Sequence, residues 1–300
     1  MYKKEFFFYG TPLDKLTKVE FTNLDKILYP DVKLTKEKVI EHYIRMAPRM
    51  LEILKNRPTV LTRFPDGINK EGFYEKDMPL GTPSWVKTFR EYSETARREI
   101  NYIVCNDLDT LIWLANLAAL EIHMTLSQID AFDKPDLLAF DLDPQPPAGT
   151  DDAVHVALML KEKLDELGLT PYVKTSGKRG LHILVPIVRE YTFAQTREYV
   201  HEIARTLAQD SPIVVSEFSR SKKPGTVYVD YAQNSHGKTM VCPYSLRPTS
   251  QATVSTPLHW SEVKKGLKPE KLTLSTVAKS KSNPWKGMLE ERHRLEESVG

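Results

Sequence analysis

Two aspartates close the apolar stretch LLAFDLDP, which spans residues 137–144. The apolar run predicts a strand, and side chains on a strand alternate between its two faces. Asp141 and Asp143 are therefore expected on one face, with Phe140 and Leu142 on the other. Two carboxylates this close repel each other, which costs stability unless something compensates their charge. A solvated strand end is one interpretation of this pair, and a cation site is the other.

A third carboxylate, Asp230, lies near the end of a second apolar stretch, TVYVDY, at residues 226–231. If the two strands are neighbours in a sheet, three carboxylates converge. Mg²⁺ or Mn²⁺ would then remove the repulsion, because hard cations take oxygen ligands. Two such ions could activate a 3′-hydroxyl and stabilise a leaving pyrophosphate. The candidates for both catalysis and metal binding are thus Asp141, Asp143 and Asp230.

The stretch YVKTSGKRGLHILVP, at residues 172–186, is typical of a strand, a basic loop and a returning strand. The loop offers a hydroxyl, backbone N–H groups and cations, which a triphosphate needs; they come from Ser176, Gly177, Lys178, Arg179 and Gly180. His182 is expected to face back toward the loop. In isolation such a loop is more often an ordinary charged turn, and such a histidine is more often a structural hydrogen-bonding residue. The ordered combination of both with the three acids is more specific than its parts.

The composition is that of a globular chain: 300 residues, of which 41% are hydrophobic and 27% charged. A formal net charge of +2 is too small to indicate a nucleic-acid partner by itself. No run approaches the roughly 18 apolar residues of a membrane helix, and the N-terminal sequence lacks a signal-peptide core. Cys105 and Cys242 have no metal-ligand spacing, which favours buried small side chains in a reducing compartment. We therefore expect a cytoplasmic protein with no membrane partner.

Helical and strand patterns alternate along the chain, which predicts an α/β fold with a mixed sheet. The predicted helices cover residues 35–55, 107–124, 151–167 and 192–208. The predicted strands cover residues 59–63, 100–104, 137–142, 171–174, 181–186, 213–215, 227–230 and 239–241. A soft boundary near residues 106–110 separates an N-terminal part, 1–108, from the part with the acidic motifs, 109–300, within one compact domain.

These motifs resemble the polymerase domain of bacterial ligase D, the end-joining polymerases of the archaeo-eukaryotic primase superfamily. The resemblance runs from about Phe21 to Trp260. In chain order it rests on FTNLDKILYP, RFPDG, GFYEK, LEIH, FDLDP, TSGKRGLH, VYVDYAQN and PYSLR. It implies a primase-polymerase core of mixed and antiparallel sheets flanked by helices, with an N-terminal α/β subdomain.

The resemblance also assigns roles. The three acids would hold two Mn²⁺ or Mg²⁺ ions, and NTPs or dNTPs would be the substrates. The nucleotide-binding residues would be His123, Ser176, Gly177, Arg179, His182, Lys223, Ser245 and Arg247. The DNA-binding residues would be Asn23, Lys26, Lys36, Arg63, Phe73 and Tyr74, of which the first three match a grip on a downstream 5′-phosphate and the aromatic pair stacks on the template. Taken alone, the two lysines are ordinary solvated side chains, the FYEK segment an edge strand, and His123 a core histidine.

Family members add nucleotides, usually ribonucleotides, to 3′ ends at gaps and double-strand breaks. They act with a Ku-type end-binding protein and a DNA ligase, in the nucleoid of a prokaryotic cell. Two departures matter. Lys223 stands where an arginine is expected, and the chain holds no Lys-x-Asp-Gly motif of a ligase. We therefore expect a stand-alone polymerase or an excised domain, with a separate ligase.

Three other functions compete with this interpretation. A primase-like enzyme that starts chains de novo would use the same three acids. A glycosyltransferase could bind a nucleotide sugar and Mn²⁺ through its Asp-x-Asp motif, but the third acid would have no role. A non-catalytic module that bridges DNA ends would have no use for clustered carboxylates.

Overall fold

A computed structural model describes residues 7–8, 11–12, 18–93, 96–217 and 223–295 of the chain. The strands are β1 Phe7–Phe8, β2 Thr11–Pro12, β3 Ile27–Tyr29, β4 Leu34–Thr35, β5 Pro58–Arg63, β6 Phe73–Glu75, β7 Thr88–Ser93, β8 Arg98–Val104, β9 Ala119–Thr125, β10 Leu137–Pro144, β11 Tyr172–Thr175, β12 Leu181–Pro186, β13 Val214–Val215, β14 Val227–Asp230, β15 Thr239–Val241 and β16 Pro257–Leu258. The helices are α1 Lys36–Leu54, α2 Leu108–Asn116, α3 Thr150–Glu166, α4 Phe193–Asp210 and α5 Leu274–Val277.

The first of two large sheets has the strand order β13-β14-β10-β12-β11-β16. Its neighbouring strands pair antiparallel, except for the parallel pair β13–β14. One face packs on α3 and α4, because Leu138, Phe140 and Leu142 of β10 share a core with both helices. The alternate residues Leu137 and Ala139 point into a different core. The face that Asp141 and Asp143 occupy thus begins apolar and becomes acidic where β10 leaves the core.

The second large sheet has the order β15-β9-β5-β8-β7, with β6 added at β5. Its core includes α1 and α2 and reaches the inner face of the first sheet through Leu184. Strands β5 to β8 precede residue 108, whereas β9 and β15 follow it. This sheet therefore draws strands from both sides of the predicted soft boundary. Together the two sheets confirm the predicted mixed α/β fold.

Most predicted elements are confirmed, including three of the four helices. Thr35 is the N-cap of α1, and the predicted stripe of Ile40, Tyr43 and Ala47 is buried. Thr192 caps α4 in a capping box with Gln195, as its sequence predicts.

The prediction of one helix over residues 107–124 is wrong in its second half. Helix α2 ends at Asn116, Ala118 takes a left-handed backbone conformation with φ 58°, and the chain continues as β9. The segment is apolar on all sides because both elements are buried, and such a run does not distinguish a buried helix from a buried strand. His123 therefore lies on a strand of the second sheet and not at a helix end.

A buried ion pair joins the end of α1 to the start of β10. Arg57 and Asp136 are both 0% exposed, and the guanidinium donates to both carboxylate oxygens, at 2.5 and 2.8 Å. Arg292 donates to the same carboxylate at 3.1 Å, and Arg57 Nε donates to the Ile53 carbonyl at 2.9 Å. This network satisfies every charge it buries.

Both cysteines of the chain are buried and unpaired, as predicted. Burial raises the pKa of Cys105 well above its ordinary value and that of Cys242 to about 12. None of the helices in the described part of the chain is both long and apolar enough to span a membrane.

Candidate active site

Four charged or polar side chains form a row across the first sheet. The register places Asp230 of β14 opposite Asp141 of β10, Asp141 opposite His182 of β12, and His182 opposite Lys174 of β11. Residues directly opposite on neighbouring strands have their Cβ atoms about 4.5–5.5 Å apart. The condition set in the sequence analysis, that the two acidic strands are neighbours in one sheet, is therefore met.

The Asp141 carboxylate contacts the imidazole of its neighbour in this row, His182. His182 Nε2 lies 3.3 Å from Asp141 Oδ1. Burial raises the pKa of Asp141, but His182 and the cations Lys174 and Arg247 outweigh it and lower the pKa below its usual range. Burial and Lys174 lower the pKa of His182 to about 4, although Asp141 acts in the opposite direction. At neutral pH the pair is an ionised carboxylate and a neutral imidazole.

The pKa of Asp230 is shifted in the opposite direction to that of Asp141. Burial raises its pKa above the usual range and the charge of Asp141 adds to this, whereas a hydrogen bond from the Ala232 N–H opposes it. That N–H donates to Asp230 Oδ1 at 2.9 Å, and Gln233 Nε2 donates to Oδ2 at 3.4 Å. The repulsion between Asp141 and Asp230 that the sequence predicted is thus present in the fold.

Asp143 occupies the same face one pleat further along β10. It pairs in register with Tyr228, and its Oδ2 accepts a hydrogen bond of 2.8 Å from Gln145 Nε2. Within the described ranges, no three His, Cys, Asp or Glu side chains are grouped closely enough to hold a metal ion.

The basic loop after β11 adjoins the acids. The Lys178 N–H donates to Ser176 Oγ at 3.1 Å, and the Ser176 N–H donates to the Gly180 carbonyl at 2.9 Å, which closes the turn. Gly177 has φ 76°, and a Cβ there would meet Arg247 Cγ at 2.5 Å. Glycine is therefore required at this position both by the backbone conformation and by the passing arginine.

A cleft of about 290 Å³ lies between the acids and this loop. It unites seven residues that the sequence analysis placed in two separate groups, the metal-binding acids and the nucleotide-binding residues. Its walls are His123, Asp141, Leu142, Asp143, Ser176, Lys178, Arg179, Gly180, His182, Gln233, Thr239, Met240, Val241 and Arg247. The cleft is therefore lined by both carboxylates and cations. This arrangement suits a ligand that has both a metal-bound and an anionic end.

Three predicted nucleotide-binding residues lie outside these walls. Gly177 shapes the loop from behind. Ser245 is fully buried, and its hydroxyl accepts a hydrogen bond of 2.8 Å from the Ile122 N–H, so it supports β9. Lys223 is exposed at the start of the segment that leads into β14.

Glu121 is a site residue that sequence analysis missed. Its Oε1 lies 2.8 Å from Arg247 Nε and its Oε2 lies 3.6 Å from His123 Nε2, so it holds two cleft residues. Burial raises the pKa of Glu121, but the neighbouring His123 and the charge of Arg247 outweigh it and lower the pKa to about 2. On a strand, residues two apart share a face. The erroneous helix prediction hid this relation between Glu121 and His123.

Lys174 was also missed. It is 0% exposed, and its Nζ lies 2.6 Å from His182 Nδ1 and 2.7 Å from Ser255 Oγ. Burial and the charge of Arg247 lower the pKa of Lys174 well below its ordinary value. The sequence showed only a lysine within a predicted strand, and its neighbours could not be identified before the register was known.

An exposed aromatic pair borders the cleft. Phe73 and Tyr74 are 43% and 56% exposed. Arg63 stacks over the Phe73 ring at 5.0 Å and pairs with Glu75, and the Tyr74 hydroxyl lies 3.2 Å from Thr239 Oγ1. A second cavity of about 430 Å³ continues from here. Aromatic and basic side chains line it, including Tyr74, Lys76, Tyr92, Tyr102, Phe132, His236 and Lys238.

The three residues assigned to a 5′-phosphate lie together on the N-terminal segment. The Lys26 N–H donates to the Asn23 carbonyl at 3.0 Å, and the Lys36 N–H donates to the Lys26 carbonyl at 2.8 Å. Lys26 Nζ forms an exposed ion pair of 2.6 Å with Asp66. Lys36 Nζ donates to the Asn116 carbonyl at 2.7 Å, and burial together with Lys26 lowers its pKa to about 8.

Comparison with known proteins gives one consistent result. The sequence profile of the family described as "LigD, primase-polymerase domain" matches residues 35–285. The "Bifunctional non-homologous end joining protein LigD" of Bacillus subtilis (strain 168) is 37% identical over 265 residues, which cover 87% of this chain and 42% of that protein. The "Multifunctional non-homologous end joining DNA repair protein LigD" of Mycobacterium tuberculosis (strain ATCC 25618 / H37Rv) is 32% identical over 259 residues, or 82% of this chain and 33% of that protein.

The chain therefore spans less than half the length of these two relatives. Its fold also matches a solved structure, "Polymerase Domain from Mycobacterium tuberculosis Ligase D in complex with DNA". The TM-score is 0.83 at 28% identity, over 92% of this chain and 100% of that chain. This chain belongs to the family of LigD primase-polymerase domains.

Proposed function

We propose that this chain is a DNA-end-joining repair polymerase, a metal-dependent and template-directed nucleotidyltransferase that adds nucleotides, preferentially ribonucleotides, to 3′ ends at gaps and double-strand breaks. The observation that carries the proposal is the placement of Asp141 directly opposite Asp230, together with a cleft that Asp141 and Asp143 share with the cations Lys178, Arg179 and Arg247. An acidic pair of this kind costs stability and has no evident structural purpose.

The three acids suit hard divalent cations, because every ligand atom they offer is a carboxylate oxygen. Asp141, Asp143 and Asp230 would hold Mn²⁺ or Mg²⁺, whose charge would stabilise the attacking 3′-hydroxyl and the leaving pyrophosphate. The hydrogen bonds from Gln145 and Ala232 hold the latter two carboxylates with neutral donors that a cation can replace.

The basic and hydroxyl side chains of the cleft would hold the triphosphate of an NTP or dNTP. Ser176 offers a hydroxyl, Arg179 and Arg247 offer cations, and His182 offers a ring N–H. Glu121 keeps Arg247 in place without consuming all its donors, since a guanidinium carries five. These groups would orient the phosphates in line with the 3′ end.

DNA would follow the aromatic side of the cleft. Phe73 and Tyr74 offer rings on which template bases stack without regard to identity, and the adjoining aromatic and basic cavity extends that surface. Asn23, Lys26 and Lys36 would hold the downstream 5′-phosphate. The solved relative is described in complex with DNA, which agrees with this assignment. A Ku-type end-binding protein and a separate DNA ligase are the proposed partners in a bacterial nucleoid.

The test is extension of a gapped duplex with NTPs and dNTPs supplied separately, each with Mg²⁺ and with Mn²⁺. We expect extension that stops at the end of the gap, is faster with NTPs, and depends on the metal. A parallel reaction without primer tests de novo initiation, and product there would favour the primase-like alternative. No extension with any substrate and metal would contradict the proposal.

A further inference from the structure

A series of hydrogen bonds runs behind the cleft from β11 to Asp141. The donor and the acceptor of each bond follow from the groups at the two ends of the series. The Thr175 carbonyl can only accept a hydrogen bond, so Ser255 Oγ, at 2.8 Å, must donate to it. A hydroxyl has one proton. Ser255 Oγ is therefore an acceptor toward Lys174 Nζ, 2.7 Å away, and the lysine must donate.

The other end of the series also makes the lysine the donor. An ionised Asp141 carboxylate can only accept, so His182 Nε2 must carry the proton at the 3.3 Å contact. With the Nε2 proton directed at the carboxylate, Nδ1 is the acceptor available to Lys174 Nζ, which lies 2.6 Å away and has N–H groups to donate. The reverse tautomer would direct the Nε2 lone pair at the carboxylate, which is repulsive.

We propose that Lys174 is a positioning residue that fixes the tautomer and the ring orientation of His182, so that the imidazole presents its Nε2–H to the cleft. Lys174 is fully buried behind the ring and is not among the residues that line the cleft, so it acts through His182 and does not touch the substrate. Asp141 accepts this N–H in the free protein, and a phosphate oxygen, which is also an acceptor, can share the same fixed donor when a nucleotide occupies the cleft. This inference rests on the proposed function for the identity of the ligand.

The cost of Lys174 supports a role beyond packing. Burying an amine is expensive, and an apolar side chain of similar length would fill the same space without that penalty. Met is such a side chain, and Lys174→Met is therefore expected to fold. The amine is instead within hydrogen-bond distance of Ser255 Oγ and of His182 Nδ1, and His182 is a cleft residue.

The first test reads the tautomer directly and needs no activity. The ¹⁵N spectrum of the imidazole rings is recorded for the folded protein, and the His182 signals are assigned by their loss in His182→Asn. We expect a protonated Nε2 and a hydrogen-bonded, unprotonated Nδ1. In Lys174→Met the ¹⁵N chemical shift of Nδ1 should move to the value of an unprotonated ring nitrogen that accepts no hydrogen bond. A protonated Nδ1 in the unmodified protein, or an Nδ1 signal unchanged by the substitution, would overturn the proposal.

The second test separates positioning from general support of the fold. ATP affinity in the presence of Mn²⁺ is measured for four proteins: the unmodified chain, Lys174→Met, His182→Ala and the double variant. We expect Lys174→Met to weaken binding about tenfold in the unmodified background and less than twofold when His182 is absent. Equal losses in both backgrounds would assign Lys174 a structural role only.

Lys279→Met is the matched control, because this lysine is exposed and far along the chain from the cleft residues. Its ATP affinity should equal that of the unmodified protein. If the unmodified protein binds no ATP, the proposed function fails, while the ¹⁵N spectrum still decides whether Lys174 fixes the His182 tautomer.

Discussion

Two carboxylates at opposite ends of β10 have opposite environments. Asp136, just before the strand, is fully buried and accepts hydrogen bonds from Arg57 and Arg292. Asp141, near its other end, borders a cleft, contacts a neutral His182 and lies opposite a second acid, Asp230. The first carboxylate is neutralised by cations that belong to the fold, whereas the second keeps its charge available to a ligand.

This difference separates an acid that stabilises the fold from one that we propose as a metal ligand. A buried ion pair contributes to the fold only if both partners stay, and removal of one leaves an uncompensated charge. A clustered acid without a fixed cation lowers stability until a ligand arrives. Substitutions around Asp136 should therefore change the free energy of unfolding, whereas substitutions at Asp141 should change nucleotide addition.

The largest effect is expected on activity. Asp141→Ala should reduce nucleotide addition by about a thousandfold or more, since a metal site supplies several kcal/mol of transition-state stabilisation. DNA affinity and the free energy of unfolding should change little. The measurement is extension of a gapped duplex together with DNA binding. Extension retained by this variant would remove the metal assignment.

The second effect is on stability at the other end of the strand. Arg57→Met should lower the free energy of unfolding by about 3–5 kcal/mol, because Asp136 would stay buried with much of its charge uncompensated. Urea unfolding measures it. The double variant Arg57→Met, Asp136→Leu is the control and should recover most of the loss. A double variant as unstable as the single one would contradict this account.

Glu121 lies between the two kinds of acid, since it borders the site but is paired with a cation. Its pKa is about 2 in the fold, compared with an ordinary value of 4.5, so its ionisation stabilises the folded state above pH 4.5. That stability is lost as the pH falls toward 2, and it amounts to about 3 kcal/mol. Glu121→Gln should flatten the decrease in unfolding free energy over this range. An unchanged pH profile would show that Arg247 does not hold the carboxylate.

A smaller effect on stability, a gain rather than a loss, is expected from a substitution of Asp230. Asp230→Asn removes the like charge across from Asp141 and should raise the free energy of unfolding by about 0.2–1 kcal/mol in the presence of a chelator. The same variant should lose nucleotide addition. A loss of stability would mean that the two acids are not in conflict, and the comparison with Asp136 would fail.

The smallest effect concerns an ion pair that is exposed rather than buried. Lys26 and Asp66 pair at the surface, where such contacts contribute little, so Lys26 can exchange its partner for a phosphate. Lys26→Ala should reduce the preference for a 5′-phosphorylated gap several-fold, by about 1 kcal/mol, and leave stability unchanged. Lys38→Ala, which removes another surface pair, is the control. An unchanged ratio of binding to phosphorylated and unphosphorylated gaps would contradict the assignment.

The sequence was sufficient for features that depend on local pattern. Alternation along β10 placed Asp141 and Asp143 on one face, and the turn signals around Ser176 identified the basic loop. Contacts that depend on register or on long separation were not accessible. Lys174 meets His182 only when a hairpin closes in one register, and Arg57 meets Asp136 across 79 residues of chain. Glu121 was lost because a buried strand has no periodic signal to distinguish it from a helix.

The burial of both cysteines has a practical consequence for labelling. Thiols react as thiolates, and the raised pKa values of Cys105 and Cys242 leave almost none at neutral pH. Leu80 is fully exposed, so Leu80→Cys would give the chain one reactive thiol. A fluorophore could be attached there while the two native cysteines remain in the core.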